Sequence, residues 1–183
     1  MQERGYCDVE VITTGCIVAP KGFKAGTTYC GIKIAKDSLD LGIIFSEYPA
    51  TGAALFTTNQ IYAAPVGLSK KIIQKGCVRA FIINSGNANA CTGEQGYKDA
   101  REMLRIAAKC LKISADELLV ASTGIIGRPL PMDKIAVGIK TAAASLGNAP
   151  EHGNAMARAI MTTDTKQKDI AVKVKISNKD VTI

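Results

Sequence analysis

Residues 84–96 form a stretch of small and polar residues between a short apolar strand and a helix in the predicted order of elements. The stretch contains three Asn, three Gly, one Ser and one Thr. Connections between a strand and a helix usually run about 2–6 residues, so a longer connection of this composition needs an explanation. Glycine permits positive φ angles, and the polar side chains supply hydrogen-bond donors and acceptors. The stretch is compatible with an ordinary surface loop or with a polar functional site.

Two later segments of similar character favour a site. Residues 118–122 predict a short buried strand that runs directly into Thr123 and Gly124. A Thr-Gly pair at the end of a strand can direct a hydroxyl and backbone N–H groups at a developing oxyanion, although spacing alone favours an ordinary turn. Residues 161–165, Met-Thr-Thr-Asp-Thr, follow a predicted helical run over residues 154–160. They could end that helix or hold a polar substrate.

Seven short sequence motifs occur in a fixed order along the chain. They lie at residues 20–23, 56–59, 63–66, 84–96, 121–127, 130–134 and 160–165. In this order the motifs resemble those of the ornithine acetyltransferases, the bifunctional glutamate N-acetyltransferases of arginine biosynthesis. The run Asn-Ser-Gly-Asn-Ala-Asn-Ala-Cys-Thr-Gly is far more specific than a spaced pattern, and the resemblance extends from about Ile17 to the last residue.

The resemblance implies that this sequence is one part of a self-cleaved precursor. Family members cut themselves before a Thr, which becomes the N-terminal residue and the nucleophile of a β chain. This sequence stops at Ile183, short of the family's cleavage motif. We therefore expect residues 1–183 to be a single α-chain domain, incomplete without the β chain and without the nucleophile. The expected assembly is a cytoplasmic heterotetramer of two α and two β chains.

The resemblance also implies roles for individual residues. Thr123 and Gly124 match the family's oxyanion hole, and Thr162 matches its substrate-contacting Thr. The implied reaction is ping-pong: the β-chain Thr takes acetyl from N-acetylornithine and passes it to glutamate, without a cofactor. Family members differ in whether acetyl-CoA also serves as donor. Three asparagines are expected to be structural and to bond to the backbone of their own loop: Asn84, Asn87 and Asn89.

The loop after Thr162 departs from the family. Members often carry an apolar or aromatic residue and then Pro before the Lys that matches Lys168, whereas Lys166 and Gln167 stand here. Two alternative functions also stay open: a self-processing aminopeptidase-like hydrolase of the same fold, and a non-catalytic carboxylate-binding module. The matching motifs favour the acetyltransferase, because they combine the oxyanion pair with the substrate-contacting Thr.

Other chemistries find little support in the sequence. His152 is the only His and lies in a predicted Gly/Asn/Pro-rich turn, so neither a Ser-His-Asp set nor a metal site is expected. Cys91 has no evident base and is expected to be a small buried thiol. The six Cys form no Cys-x-x-Cys pair, which is typical of the reduced, mostly buried thiols of a cytosolic protein. The fingerprints of dinucleotide and P-loop binding are absent.

Composition and charge set broad limits. The chain has 183 residues and 47% hydrophobic content, which is enough for one substantial core. The sequence contains no run of 18 apolar residues, which a membrane span would require. Residues 1–6 lack the basic-then-apolar layout of a signal peptide. The net charge of +7 is spread along the chain, which disfavours nucleic-acid binding. A positive field suits anionic amino-acid substrates or an acidic partner chain, and the sequence does not decide between them.

The predicted elements alternate between strands and helices. Strands are expected at residues 32–34, 41–46, 118–122 and 170–176, with two further apolar segments at 66–73 and 78–83. Helices are expected at residues 97–112 and after Pro131, and Ser114 has the spacing of a capping box. The strand at 170–176 is expected to need a pairing partner from elsewhere. This pattern predicts an α/β layered sandwich with a mixed sheet, and the resemblance implies the αββα arrangement of self-processing aminopeptidases.

Overall fold

The computed structural model describes residues 9–35 and 38–183. The signal-peptide prediction and Cys7 lie outside this part of the chain. The strands are β1 (Val9–Ile12), β2 (Phe23–Thr28), β3 (Leu41–Thr51), β4 (Cys77–Asn87), β5 (Leu118–Ile125), β6 (Ala171–Ile176) and β7 (Lys179–Thr182). The α-helices are α1 (Ala64–Ile72), α2 (Gly93–Leu111), α3 (Met132–Ala144) and α4 (Pro150–Ala159), with short 3-10 turns at Ile73–Lys75 and Ala115–Glu117.

Two sheets organise these elements. The larger sheet has the strand order β2-β3-β4-β5, in which β2, β3 and β4 are antiparallel neighbours and β4 and β5 are parallel. The smaller sheet has the order β1-β6-β7 and is antiparallel throughout. The predicted α/β architecture with a mixed sheet is therefore confirmed.

Helices cover both faces of the mixed sheet, because successive strand residues point to opposite faces. On one face, α1, α2 and α3 pack on buried strand residues that include Leu41, Ile43, Ile82, Leu118 and Val120. On the other face, Met156 of α4 packs with a smaller cluster made of Cys16, Val18 and Ala25, against which Ile44 and Ile83 lie. The end of α4 is thereby held beside the central strands, which matters for the site.

The helix predicted at residues 97–112 is confirmed as α2, which begins earlier, at Gly93. Its inner face is buried at Ala100, Met103, Leu104 and Ala107. The capping box at Ser114 is also confirmed: its hydroxyl accepts from the Asp116 N–H, and the Glu117 carboxylate accepts from the Ser114 N–H at 2.9 Å. Pro131 directly precedes α3, as expected.

The strand predicted at residues 32–34 does not exist. The backbone N–H groups of Ile32 and Lys33 donate to the carboxylate of Asp40, so they are unavailable to a strand ladder. The strand that pairs with β3 is instead β2, whose Ala, Gly and Thr residues give no apolar alternation in the sequence. Of the two further apolar segments, residues 66–73 belong to α1 and the following turn, and residues 78–83 belong to β4.

The strand predicted at residues 170–176 is confirmed as β6, but the prediction that its partner comes from elsewhere is wrong. β1 and β7 of the same chain flank it on both sides. Ile183 and Val172 exchange two backbone hydrogen bonds of 2.8 Å, which closes the end of this sheet. Lys173 and Lys175 are exposed, because alternate residues of a strand point to the same face.

Two predictions about single side chains are also wrong. His152 lies in the first turn of α4 rather than in a loop. Of the described thiols only Cys16 is buried, whereas Cys91 and Cys110 are exposed, so the thiols are not mostly buried. Among the described residues, no helix is both long enough and apolar enough to cross a bilayer.

Candidate active site

The polar stretch at residues 84–96 is not the long loop that the sequence suggests. β4 continues to Asn87, because β3 pairs with it as far as Asn84 and β5 as far as Asn87, and α2 begins at Gly93. The true connection is residues 88–92, which is within the usual range for a strand followed by a helix. The polar side chains of this stretch therefore need hydrogen-bond partners inside the protein.

The side chains of the three asparagines form such hydrogen bonds to backbone groups, which confirms their predicted structural role. All three are buried. Asn84 Nδ2 donates to the Asn87 carbonyl at 2.9 Å, and Asn89 Nδ2 donates to the Gly96 carbonyl at 2.9 Å. Asn87 Nδ2 reaches the carbonyls of Arg128 and Pro129, and its Oδ1 accepts from the Asn89 N–H. These bonds tie the end of β4 to the start of α2 and to the segment after β5.

Two glycines bring β4 and β5 into unusually close contact. β5 extends through Thr123 and Gly124 to Ile125, beyond the predicted end of the strand. Gly124 has a φ of 132°, and a Cβ placed there would overlap the carbonyl carbon of Gly86. The strand register becomes irregular just after Gly86. Such irregularities change the direction of the strand and are common beside active sites.

One cleft of about 870 Å³ contains all three predicted site residues. Its first wall is the end of β5 with Thr123 and Gly124, together with Gly86 of β4. Its second wall is the last turn of α4 with Arg158, together with the segment after α4 that contains Thr162. Residues 32–35 form the third wall. Residues that are far apart in the sequence are thus brought to one surface opening.

The second wall is ordered by its own polar contacts. Thr162 is exposed, and its N–H lies 3.4 Å from a carboxylate oxygen of Asp164. Lys168 Nζ donates to Asp164 at 2.6 Å, and this bond lowers the pKa of the Asp164 carboxyl. At the position where the sequence departs from the family, Gln167 Nε2 donates to Asn154 of α4 at 3.1 Å. The departure therefore attaches the loop to α4 through a side-chain bond.

The third wall is organised by Asp40, which the sequence analysis did not single out. Its carboxylate is fully buried and accepts from the backbone N–H groups of Cys30, Ile32 and Lys33 at 2.8, 2.7 and 3.1 Å. Lys33 Nζ donates to the Leu39 carbonyl at 2.7 Å. Burial lowers the pKa of the Lys33 ammonium, and the neighbouring Asp40 opposes that effect. One acidic residue within an otherwise apolar run was the sequence signal for this arrangement.

The thiols of Cys30 and Cys91 differ in their surroundings. Burial and the neighbouring Asp40 raise the pKa of Cys30 to about 12, so its thiol stays protonated at neutral pH. Cys91 is exposed and has a φ of 56°, so the prediction of a buried thiol is wrong there. Within the described ranges, no three His, Cys, Asp or Glu side chains are grouped as a metal would require.

The ArgJ family model matches residues 24–183. The chain is 49% identical over 172 residues to the arginine biosynthesis bifunctional protein ArgJ of Caldanaerobacter subterraneus, covering 94% of this chain and 42% of that protein. It is 46% identical over 169 residues to the protein of the same name from Dehalococcoides mccartyi, covering 92% and 41%. The chain thus spans less than half the length of these relatives.

Two solved structures are similar to the whole described fold. The arginine biosynthesis bifunctional protein argJ from Bacillus halodurans matches with a TM-score of 0.93 and 37% identity, covering 98% of this chain and 92% of that chain. The ornithine acetyltransferase from Mycobacterium tuberculosis, solved in complex with ornithine, matches with a TM-score of 0.87 and 36% identity. That alignment covers 96% of this chain and 92% of the other.

Proposed function

Because the chain belongs to the ArgJ family, we propose that it is the α chain of an acetyltransferase that moves acetyl from N-acetylornithine to glutamate. The observation that carries the proposal is the single cleft shared by Thr123, Gly124 and Thr162. In this proposal residues 1–183 are one domain, completed by a β chain from the same precursor. The assembled enzyme is a cytoplasmic heterotetramer of two α and two β chains.

Thr123 and Gly124 are proposed to stabilise the oxyanion. Acetyl transfer passes through tetrahedral intermediates whose former carbonyl oxygen carries negative charge, and fixed donors aimed at that oxygen lower the barrier. Gly86 and Gly124 both line the cleft and carry no side chain, so a substrate carbonyl can approach the backbone there. The neighbouring Thr123 hydroxyl adds a donor at the same edge of the cleft.

The nucleophile is proposed to be the N-terminal Thr of the β chain, whose hydroxyl is activated by its own α-amino group. The hydroxyl oxygen bonds to the acetyl carbon, and ornithine leaves with a proton on its amine. The amine of glutamate then attacks the acetyl-Thr ester, releases N-acetylglutamate and returns the proton to the Thr hydroxyl. The sequence has one His, which does not line the cleft, so a Ser-His-Asp alternative finds no support.

Amino-acid substrates suit the second and third walls of the cleft. Thr162 is proposed to contact the acetylated amino acid, and the positive charges of Arg158 and Lys33 in the lining favour substrates that carry carboxylates. The ornithine complex of the Mycobacterium tuberculosis neighbour supports an amino acid as the ligand. Acetyl-CoA is a second donor to be tested in the same assay.

The test is acetyl transfer from labelled N-acetylornithine to glutamate by the chain co-produced with its β chain. Thr123→Ala should lower kcat by about 10²–10³, because one oxyanion donor is lost. Thr162→Ala should raise KM for N-acetylornithine without preventing precursor cleavage. Thr141→Ala is a matched control, because this hydroxyl bonds to the Val137 carbonyl on the surface of α3, away from the cleft.

Three outcomes would contradict the proposal. An unchanged kcat in assembled Thr123→Ala enzyme would remove that residue from the mechanism. Loss of folding in Thr162→Ala, with unchanged activity per folded molecule, would make its role structural. Release of free acetate in place of N-acetylglutamate would support the hydrolase alternative.

A further inference from the structure

The carbonyl of Ala159, the last residue of α4, receives two donors from other parts of the chain. The buried Ser85 hydroxyl donates to it, and Lys33 Nζ lies 3.5 Å from the same oxygen. The last carbonyls of a helix have no partner within the helix and carry partial negative charge. A hydroxyl donor and an ammonium group therefore hold the end of α4 in a defined place.

Ser85 also lies directly beside the proposed oxyanion residues. It is the register partner of Thr123 in the parallel pairing of β4 and β5. Its own backbone N–H donates to the Asp40 carbonyl at 2.8 Å, which fixes β4 on its other side. The residue thus contacts α4 through its side chain while its backbone belongs to the strand next to Thr123.

We infer that Ser85 is a positioning residue, which sets the separation between the oxyanion donors and the substrate-binding Thr162. The chain runs from Ala159 through Ile160 and Met161 to Thr162, so a shift of the helix end moves the second wall of the cleft. Small displacements of binding groups have large effects on rate, because the reaction requires a narrow range of geometries. This inference rests on the proposed function for its effect on catalysis, but its structural part can be measured separately.

A merely structural Ser85 would behave like another buried serine of the same chain. Ser69 of α1 donates to the Val120 carbonyl at 2.8 Å and accepts from the Val120 N–H at 3.0 Å. It is as well bonded as Ser85 and is also buried, but it contacts β5 several residues before the cleft. Ser69→Ala therefore removes buried hydrogen bonds from the same sheet without touching the end of α4.

The experiment compares Ser85→Ala with Ser69→Ala in the enzyme assembled with its β chain. Amide hydrogen exchange is measured at Ile160 and Met161, whose N–H groups bond to carbonyls within α4. Exchange at these amides should accelerate in Ser85→Ala and stay unchanged in Ser69→Ala. The kcat/KM for N-acetylornithine should fall about tenfold in Ser85→Ala and stay nearly unchanged in Ser69→Ala.

Lys33 provides a second variant pair. Lys33→Met keeps the aliphatic chain but removes the ammonium group, whereas Lys33→Arg keeps a charged donor. Lys33→Met should accelerate exchange at Ile160 and Met161, as Ser85→Ala does, and Lys33→Arg should keep this exchange close to wild type. Exchange rather than kcat/KM separates this role from substrate attraction, because Lys33 also lines the cleft. A folded Ser85→Ala enzyme with unchanged exchange at Ile160 and Met161 would overturn the inference, and so would equal losses in Ser85→Ala and Ser69→Ala. If the wild-type assembly transfers no acetyl while the exchange pattern holds, the proposed function fails and the positioning role stands.

Discussion

Replacing Asp40 with Asn should loosen the third wall of the cleft without changing the shape of the side chain. One carboxylate oxygen of Asp40 accepts from the Cys30 N–H at 2.8 Å. The other accepts from Ile32 and Lys33 at 2.7 and 3.1 Å. The side chain is fully buried, so water cannot take over any bond that is lost.

The size of the effect follows from these three bonds. An Asn side chain has one acceptor oxygen, which can keep the two bonds to Ile32 and Lys33 in weaker, neutral form. Its NH₂ group then faces the Cys30 N–H, so one charge-assisted bond is lost and two donors meet. Bonds to charged groups contribute about 1.5–3 kcal/mol each, which gives a local cost of roughly 2–4 kcal/mol. Such a cost corresponds to a change of about 30- to 1,000-fold in an equilibrium constant.

Amide hydrogen exchange of the assembled enzyme measures this cost where it arises. Local opening governs the exchange of protected amides, so the Cys30 amide should exchange about 30- to 1,000-fold faster in Asp40→Asn. Asp99→Asn is the matched control, because Asp99 is also buried but accepts only from the Gln95 side chain on its own helix. Unchanged exchange at Cys30 in folded Asp40→Asn enzyme would refute the argument. An equal acceleration in both variants would show general destabilisation instead.

Two further predictions concern the strand contact and a thiol. Gly124→Ala should reduce kcat by at least about tenfold, because its Cβ would displace Gly86, whereas Gly127→Ala has a positive φ with open space around its Cβ and should leave kcat nearly unchanged. Equal effects in the two variants would attribute the loss to backbone strain rather than to the contact. Iodoacetamide at mildly alkaline pH should label the exposed Cys110 and spare Cys30, whose pKa is raised to about 12, and mass spectrometry of the folded enzyme would detect equal labelling if this were wrong.

The sequence predicts those parts of the fold that depend on local, repeated patterns. The helical period of apolar residues in α2 is clear in the sequence, because this helix packs one apolar face against the sheet and leaves its Lys and Arg residues in water. The capping box at Ser114 is equally local. The candidate site comes from a different source, since the spacing of Thr123 and Gly124 alone favours a turn. Only the resemblance to a family connects them to Thr162, which the fold brings into the same cleft.

Local sequence patterns do not indicate elements whose hydrogen bonds go to distant residues. Residues 32–34 have the apolar character of a strand, yet the N–H groups of Ile32 and Lys33 bond to the Asp40 side chain, eight and seven positions further along. β2 shows the opposite case: it is a strand, but its sequence lacks the apolar alternation of one. Its Ala25 is completely buried, and its Gly26 faces the backbone of α3. Small residues that allow close packing have no apolar pattern in the sequence. The pairing of β6 with β1 likewise joins the two ends of the described chain.

The polar stretch at residues 84–96 shows why composition alone misplaces a site. A buried strand end must satisfy backbone groups that no further strand or helix can reach, and short polar side chains do this at close range. Asn84, Asn87 and Asn89 are polar for this reason, and Ser85 is polar because it bonds to the end of α4. In the sequence these residues have the composition of a surface loop, although all four are buried. Their polarity marks the framework of the cleft, while the groups proposed to contact substrate stand on the neighbouring strand and after α4.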